Sequence, residues 1–334
     1  MTLWGPLPMA RLVACALLGA LASPASVRGQ SAAEVLFEEC ASGQGAEVQA
    51  LCADATLALQ ALQGGVGLLF TVGGPIPASP STAGRRAPGT PRLVFDGGVT
   101  LAQFNHPTLE SPLPAAGDSG TESSVVGGRF AAAVGLYDGF SPLPTVGGVL
   151  ALDAVAAVRL LRTPDSPSST GHRVGWGGGV RVGLFRESFS LPGVTFSAVR
   201  YGSGSIRYGA SSGEGALVQL EPSVTSYRLV AGKDLWPVGV SAGIGWDKYR
   251  GSGRFEVRVQ EGGGILTTAR AAGGLTMNRE YLFAGLNYTW LVTQIAAELT
   301  WADQASPLAE LEGTGDFRPG GPELQGTFTF RLIY

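Results

Sequence analysis

The chain has 334 residues, of which 15% are charged, 45% are apolar and 51 are glycine. Soluble domains usually carry about 25% charged residues, so part of this surface is expected to face something other than water. Lys233 and Lys248 are the only lysines, the formal net charge is -3, and no block of basic residues occurs. This composition argues against a nucleic-acid partner.

Residues 1–29 predict a cleaved secretory signal peptide. Arg11 precedes an apolar stretch over 12–22, which is too short to span a bilayer as a helix, and small residues follow it. We expect cleavage after Gly29 rather than after Ala25, because Ser31 then begins a helix at once. An uncleaved membrane anchor is the alternative.

Residues 30–63 predict a short helical hairpin. Ser31 and Glu34 fit a capping box at the start of the first helix. Cys40 and Cys52 are an even pair in an exported chain, which favours a disulfide between the helices over two free thiols. One apolar stripe along the second helix comprises Val48, Leu51, Ala55, Leu59 and Leu62.

Residues 64–91 are rich in Gly and Pro and predict a linker. Export leaves residue 30 in the periplasm, where the first strand near Leu93 should also begin. We therefore predict that the hairpin caps or enters the periplasmic mouth of whatever residues 92–334 form. The alternative is a hairpin that docks on a periplasmic protein or lies on the inner leaflet.

From residue 92 onward the apolar residues recur with a period of two, which is typical of half-buried strands. The pattern predicts an all-β fold with about twelve strands, or about ten if the weak runs 254–260 and 265–276 are not separate strands. Residues 248–253 and 277–279 are expected to be loops. The runs begin near residues 93, 125, 149, 173, 194, 217, 236, 254, 265, 281, 294 and 324.

Three features favour an antiparallel up-and-down transmembrane β-barrel over a soluble secreted β-protein. The runs are long enough to cross a bilayer, aromatic residues end their apolar faces, and the other face mixes charged with small residues. The predicted girdle aromatics are Trp236, Trp246, Tyr288, Trp290, Trp301 and Tyr334. The predicted lumen residues are Arg129, Asp153, Arg159, Arg173, Arg181, Glu298 and Arg331. Arg258 and Arg270 are assigned to the same face, although the alternation around them is less regular.

The last run, Leu324 to Tyr334, has apolar residues at every second position and ends on an aromatic residue. It resembles the C-terminal signal of bacterial outer-membrane β-barrel proteins, carried here by Phe328, Phe330, Leu332 and Tyr334. The resemblance implies an outer-membrane location and recognition by the barrel-assembly machinery. Residues 31–91 also resemble the N-terminal block of exported proteins of this sort.

Motifs for catalysis are weak. His106 and His172 are the only histidines, which is too few for a histidine-based metal site. Residues 175–179 (GWGGG) lack the lysine and following helix of a phosphate-binding loop, and simply predict close approach of lumen side chains. We expect the protein to have no enzymatic activity and to bind neither a cofactor nor a metal ion. A hydrolase using His106, with Ser111 and Asp118 in the same loop, is a remote alternative.

The arginines are the main functional signal. Arginine in a lumen can make a pore prefer anions, which predicts a passive channel for small solutes. The alternative is a structural or surface-interaction barrel with a filled lumen. There the arginines would pair with Asp96, Asp153, Asp247, Glu298 and backbone carbonyls.

Overall fold

The computed structural model describes residues 31–86, 89–106, 109, 121–142, 147–162, 169, 171–189, 191–210, 212–261, 265–306 and 323–334. The predicted signal peptide lies outside these residues. So do Ser111 and Asp118 of the loop after His106.

Two helices begin the described chain, α1 (Ala32–Ala41) and α2 (Ala46–Thr71). The capping box is present: the Glu34 amide donates to Ser31 Oγ at 3.2 Å, and the Ser31 amide donates to Glu34 Oε2 at 2.7 Å. The predicted disulfide is confirmed, with Cys40 and Cys52 Sγ atoms 2.00 Å apart. Neither helix is long and apolar enough to cross a membrane.

Helix α2 continues past residue 63, into the segment predicted as a linker. Gly64, Gly65 and Gly67 are poor helix formers and misled the prediction. Tertiary contact explains the difference: a Cβ at Gly67 would collide with the Tyr249 ring, so a helix can pass this close only where it carries glycine.

The strands are antiparallel and mostly long. Their bounds are β1 Arg85–Arg86, β2 Thr90–Pro91, β3 Leu93–His106, β4 Thr121–Tyr137, β5 Ala151–Arg162, β6 His172–Phe185, β7 Gly193–Ser203, β8 Ile206–Gly209, β9 Gly215–Leu235, β10 Val238–Glu261, β11 Ile265–Trp290, β12 Thr293–Ala302 and β13 Glu323–Ile333.

In the part of the chain that the structure describes, β3–β7 and β9–β13 form a closed barrel of ten strands. The ring closes where β13 pairs with β3, for example Phe328 with Val99. Strand β8 pairs with β9 outside the ring, and β1 pairs only with β2. The lower of the two expected strand numbers is therefore correct.

The loops predicted at 248–253 and 277–279 are wrong, since both stretches lie inside long strands. Strands β10 and β11 pair without interruption, and Gly251 opposes Leu275 in the middle of the presumed break. The apolar pattern changes there because the surroundings of the sheet change, although the strand itself continues.

The outer surface shows where that change occurs. Along β10, apolar residues from Val238 to Trp246 point outward, and the outward residues beyond them are Lys248, Arg250 and Ser252, all exposed. Residues 215–225 of β9, 248–261 of β10 and 265–279 of β11 thus project beyond an apolar belt. We name these three stretches the extension.

The barrel has two different ends. At the terminal end, the Leu93 amide donates to the Tyr334 carbonyl at 2.9 Å, so the first and last strands meet there. The extension stands at the opposite end, which we name the loop end. The sequence analysis assigned the terminal end to the periplasm.

The hairpin lies at the loop end and not at the terminal end, where the sequence analysis had placed it. Leu36 of α1 packs against Gly273 and Leu59 of α2 against Gly253, both in the extension. The predicted stripe along α2 is buried, and its apolar partner is the inner face of the extension, with Phe255 and Val257. Such a partner is found at the loop end, where the sheet has an apolar inner face.

Candidate functional site: a lumen filled by the chain itself

Residues 72–84, which we name the lumen segment, run from the end of α2 to the terminal end of the barrel. The Thr71 hydroxyl donates to Asp247, and the Ala83 amide donates to Asp153 Oδ2 at 2.8 Å. Gly73 and Gly74 have φ values of +73° and +52°, in the region that favours glycine, and they turn the chain out of the helix.

The composition of the lumen segment determines what can bind it. Pro75, Pro77 and Pro80 have no backbone N–H, so the segment presents more carbonyl acceptors than amide donors. Arginine carries five donors and no acceptor, and it is the natural partner of such a chain. Buried carbonyls need partners, because an unsatisfied one costs free energy comparable to that of a missing hydrogen bond.

Two arginines of neighbouring strands bind the start of the segment. Arg129 on β4 donates to the carbonyls of Gly74 at 3.0 Å and Pro75 at 3.1 Å. Arg159 on β5 donates to the carbonyls of Gly74 at 2.7 Å and Phe70 at 3.1 Å. Both side chains are fully buried. Together they bind the chain at the point where α2 ends.

Two further arginines bind the middle of the segment. Arg331 on β13 donates to the Pro77 carbonyl. Arg181 on β6 donates to the carbonyls of Ser79 and Ser81, each at 2.9 Å. The four arginines therefore reach the segment from β4, β5, β6 and β13, and hold it along its length.

Carboxylates of the barrel wall accept hydrogen bonds from backbone amides of the non-proline residues in the segment. The Ala78 amide donates to Glu298 Oε2 at 3.1 Å, in addition to the bond from Ala83 to Asp153. The Asn287 side-chain amide donates to the Ala78 carbonyl at 3.1 Å. Backbone donors and acceptors of the segment are thus both matched by side chains of the barrel wall.

These two carboxylates and Asp96 neutralise the arginines. Asp96 pairs with Arg129 at 3.2 Å and with Arg331 at 3.4 Å. Glu298 pairs with Arg228 at 2.7 Å and Asp153 with Arg181 at 3.8 Å. A buried charge without such a partner would cost several kcal/mol, so the network explains why these residues can lie in the lumen.

Arg159 is held differently from the other arginines. Its described partners are backbone carbonyls and the ring of Tyr201, whose centroid is 5.6 Å from the guanidinium carbon. Glycines of the GWGGG stretch make room beside it, since a Cβ at Gly175 would collide with the Phe70 ring. Close approach, as the sequence analysis expected, is what these glycines allow.

Six of the seven predicted lumen residues are buried inside the barrel, and Arg173 is half-buried near the loop end of β6. Arg258 and Arg270 were assigned to the lumen face, which is wrong. They point outward and pair with Glu256 at 2.7 Å and 3.0 Å. Val257 and Val259 occupy the inner face there, because the interior of the extension is apolar.

Sequence reasoning missed two buried arginines. Arg228 lies on β9, where the apolar pattern changes phase, and its guanidinium also lies 3.8 Å from the centroid of the Phe283 ring. Arg279 was placed in a presumed loop, yet it is buried on β11 and pairs with Glu323 at 3.2 Å. The alternation through Tyr281 and Phe283 would have placed Arg279 on the inner face.

The predicted girdle aromatics all face outward. Near the terminal end, Trp236, Tyr288, Trp290 and Tyr334 are exposed. Towards the loop end, Trp301 is exposed and Trp246 is half-exposed. They occupy two levels at the edges of the apolar belt, which is where aromatic rings lie in barrels that cross a bilayer.

The histidines lie at strand ends: His106 is the last residue of β3 and His172 the exposed first residue of β6. Among the described residues, no group of three or more His, Cys, Asp or Glu could hold a metal ion.

No family model matches the sequence, and no curated protein matches it. Three similar solved structures are barrels, and the likeness concerns the fold alone. They are the translocator domain of the autotransporter NalP from Neisseria meningitidis (13% identity, 74% of this chain and 90% of that chain, TM-score 0.34), the β domain of the Bordetella autotransporter BrkA (10%, 73% and 99%, 0.36) and Ail, the attachment invasion locus protein of Yersinia pestis (10%, 73% and 97%, 0.21).

Proposed function

We propose that this protein is an outer-membrane β-barrel whose lumen is closed by its own residues 72–84, so that it acts as a structural or surface-interaction barrel. The observation that carries the proposal is the set of bonds from Arg129, Arg159, Arg181 and Arg331 to carbonyls of one continuous segment. A passive channel would need that segment to leave, which would break these bonds together.

The outer surface supports the membrane location. A closed barrel leaves no strand edge unpaired in lipid, and the apolar belt ends at aromatic residues at both levels. Phe328, Phe330 and Leu332 of β13 face outward, and so does Tyr334, the residue after the strand. Their exposure supports the further proposal that this strand is the signal that the barrel-assembly machinery recognises.

Conductance across planar bilayers tests the closed lumen. The purified full chain should show no steady conductance steps. Deleting residues 31–84 should produce steps, because it removes the lumen segment together with the hairpin. Deleting residues 31–63 is the matched control, since it keeps the lumen segment and should leave the lumen closed.

Each deletion should be checked for folding by its heat-dependent mobility on a gel. The double variant Arg129→Met and Arg159→Met tests the same point without deleting any residue. It should raise the fraction of barrels that conduct. Steady steps from the unaltered full chain would overturn the closed lumen and restore the passive channel. The expectation that the chain is not an enzyme is tested separately, by His106→Ala in lipid and peptide hydrolysis assays.

A further inference from the structure

We infer that the helical hairpin lies on the cell surface, and that residues 31–71 reach it through the barrel's own lumen. The inference rests on the proposed outer-membrane location but does not depend on whether the lumen conducts. It makes this barrel the route of export for its own N-terminal part.

The path of the chain is recorded at three levels of the wall. In the extension, Leu59 packs against Gly253. Also in the extension, the Gln63 side chain donates to the Leu275 carbonyl at 3.1 Å, and within the belt the Thr71 hydroxyl binds Asp247. At the terminal end, Gly84 packs directly against Gly135. The described chain therefore crosses the whole barrel once, from loop end to terminal end.

The connections indicate which end faces the periplasm. At the terminal end, the four connections are residues 138–150, 186–192, 236–237 and 291–292. At the loop end, the five connections are residues 107–120, 163–171, 204–214, 262–264 and 303–322, so the longer connections predominate there. Barrels of this class have short periplasmic turns and longer extracellular loops, so the loop end is outside the cell.

The predicted signal peptide would deliver the N-terminus to the periplasm, which is the side of the terminal end. The hairpin is at the other end. Since the chain between them fills the lumen, residues before 72 must pass through the ring, or the ring must close around them during assembly. Either way, the N-terminal part crosses the membrane inside its own barrel.

The structure also explains why the hairpin would stay outside. Its buried residues Leu36 and Leu59 and the inner face of the extension, with Phe255 and Val257, cover each other's apolar surface. Burial of apolar surface favours this docked state, and it is available only at the loop end. Two disulfide-linked helices are also bulkier than the single extended chain that the lumen holds near Glu298.

An epitope tag in the turn between the helices tests the inference. The site after Gly43 is suitable, since this residue is exposed and has no neighbouring atoms within 4 Å of an added Cβ. The matched control is the same tag between Leu291 and Val292, which are exposed in a turn at the terminal end. A cleavage site for a specific protease beside each tag gives a second readout.

On intact cells, antibody and protease should reach the tag after Gly43 and should not reach the tag at 291–292. Permeabilised cells should expose both. A tag after Gly43 that antibody and protease reach only after permeabilisation would overturn the inference, and access to the 291–292 tag instead would show an inverted barrel.

The two proposals can fail separately. A full chain that conducts, with a surface-accessible tag after Gly43, overturns only the closed lumen. A full chain that does not conduct, with that tag accessible only after permeabilisation, overturns only the export of the hairpin.

Discussion

The interior of this protein changes character between the belt and the extension, although the same strands line both. On β10, Ser241 and Asp247 face inward within the belt, while Ile244 and Trp246 face outward. In the extension, Phe255 faces inward and the outward residues of β10, from Lys248 to Gln260, are polar. The alternation of the strand continues, but the assignment of polar and apolar faces is reversed.

The reversal follows from what each region has on its outer side. In the proposed membrane location, lipid outside the belt requires apolar outward residues, and the inside can then be polar if its charges are matched. Water outside the extension removes that requirement, so the extension needs an apolar inner face and a partner to cover it. Its partner is the helical hairpin, whereas the partner of the charged lumen is the backbone of residues 72–84.

The comparison predicts that the two regions respond to different substitutions. Removing a charge should destabilise the barrel when the residue lies in the lumen and should be tolerated on the outer face of the extension. Truncating an apolar side chain between the hairpin and the extension should weaken hairpin docking. The three predictions that follow run from the largest expected effect to the smallest.

Asp96→Asn should strongly destabilise the barrel. It removes the charge that Arg129 and Arg331 share while leaving both buried, and breaking a buried pair in this way costs about 3–5 kcal/mol. The matched control is Glu256→Gln, whose arginine partners are more exposed, and it should cost about 1 kcal/mol or less. Urea unfolding in lipid vesicles, followed by tryptophan fluorescence, measures both. Equal decreases in stability would contradict the contrast between the regions.

Leu59→Ala should undock the hairpin without opening the lumen. Truncating a fully buried leucine costs about 2–5 kcal/mol, and this leucine packs against the inner face of the extension. Val35 of α1 is 50% exposed, so Val35→Ala is the control and should have little effect. Limited proteolysis of the hairpin is the measurement. If both variants resisted cleavage like the unaltered protein, the docking face would have been misassigned.

Hairpin docking should weaken as the pH rises from about 4 to above 6. Burial raises the pKa of Asp54 on α2 to about 6 from its usual 3.8, so ionisation is harder in the docked state. A carboxyl whose pKa is raised contributes stability at low pH, which disappears as the pH passes its folded pKa. Asp54→Asn should abolish this dependence and make the hairpin more stable at pH 8 by about 1–2 kcal/mol.

Proteolysis of the hairpin at pH 5 and pH 8 measures this effect. Glu47→Gln is the control, since Glu47 is exposed on the first turn of the same helix. A pH dependence that persists in Asp54→Asn would assign it to another group.

The sequence by itself determined the class of the fold and the facing of most residues. Strict alternation, as in Leu324 to Tyr334, assigns each side chain to one face of a strand, because successive side chains point to opposite sides. Arg129, Asp153 and Arg159 lie buried on the inner face, which this alternation predicts. The capping box of Ser31 and Glu34 was predictable for a similar reason, because it depends only on residues of one helical turn.

Tertiary structure decided the features that depend on distant parts of the chain. Gly64, Gly65 and Gly67 end a helix by propensity, yet the barrel wall keeps α2 helical to Thr71. Arg258 points outward because the hairpin makes the interior of the extension apolar, which no local pattern reveals. The position of the hairpin at the loop end likewise depends on three long strands, whose common apolar face exists only once they are paired.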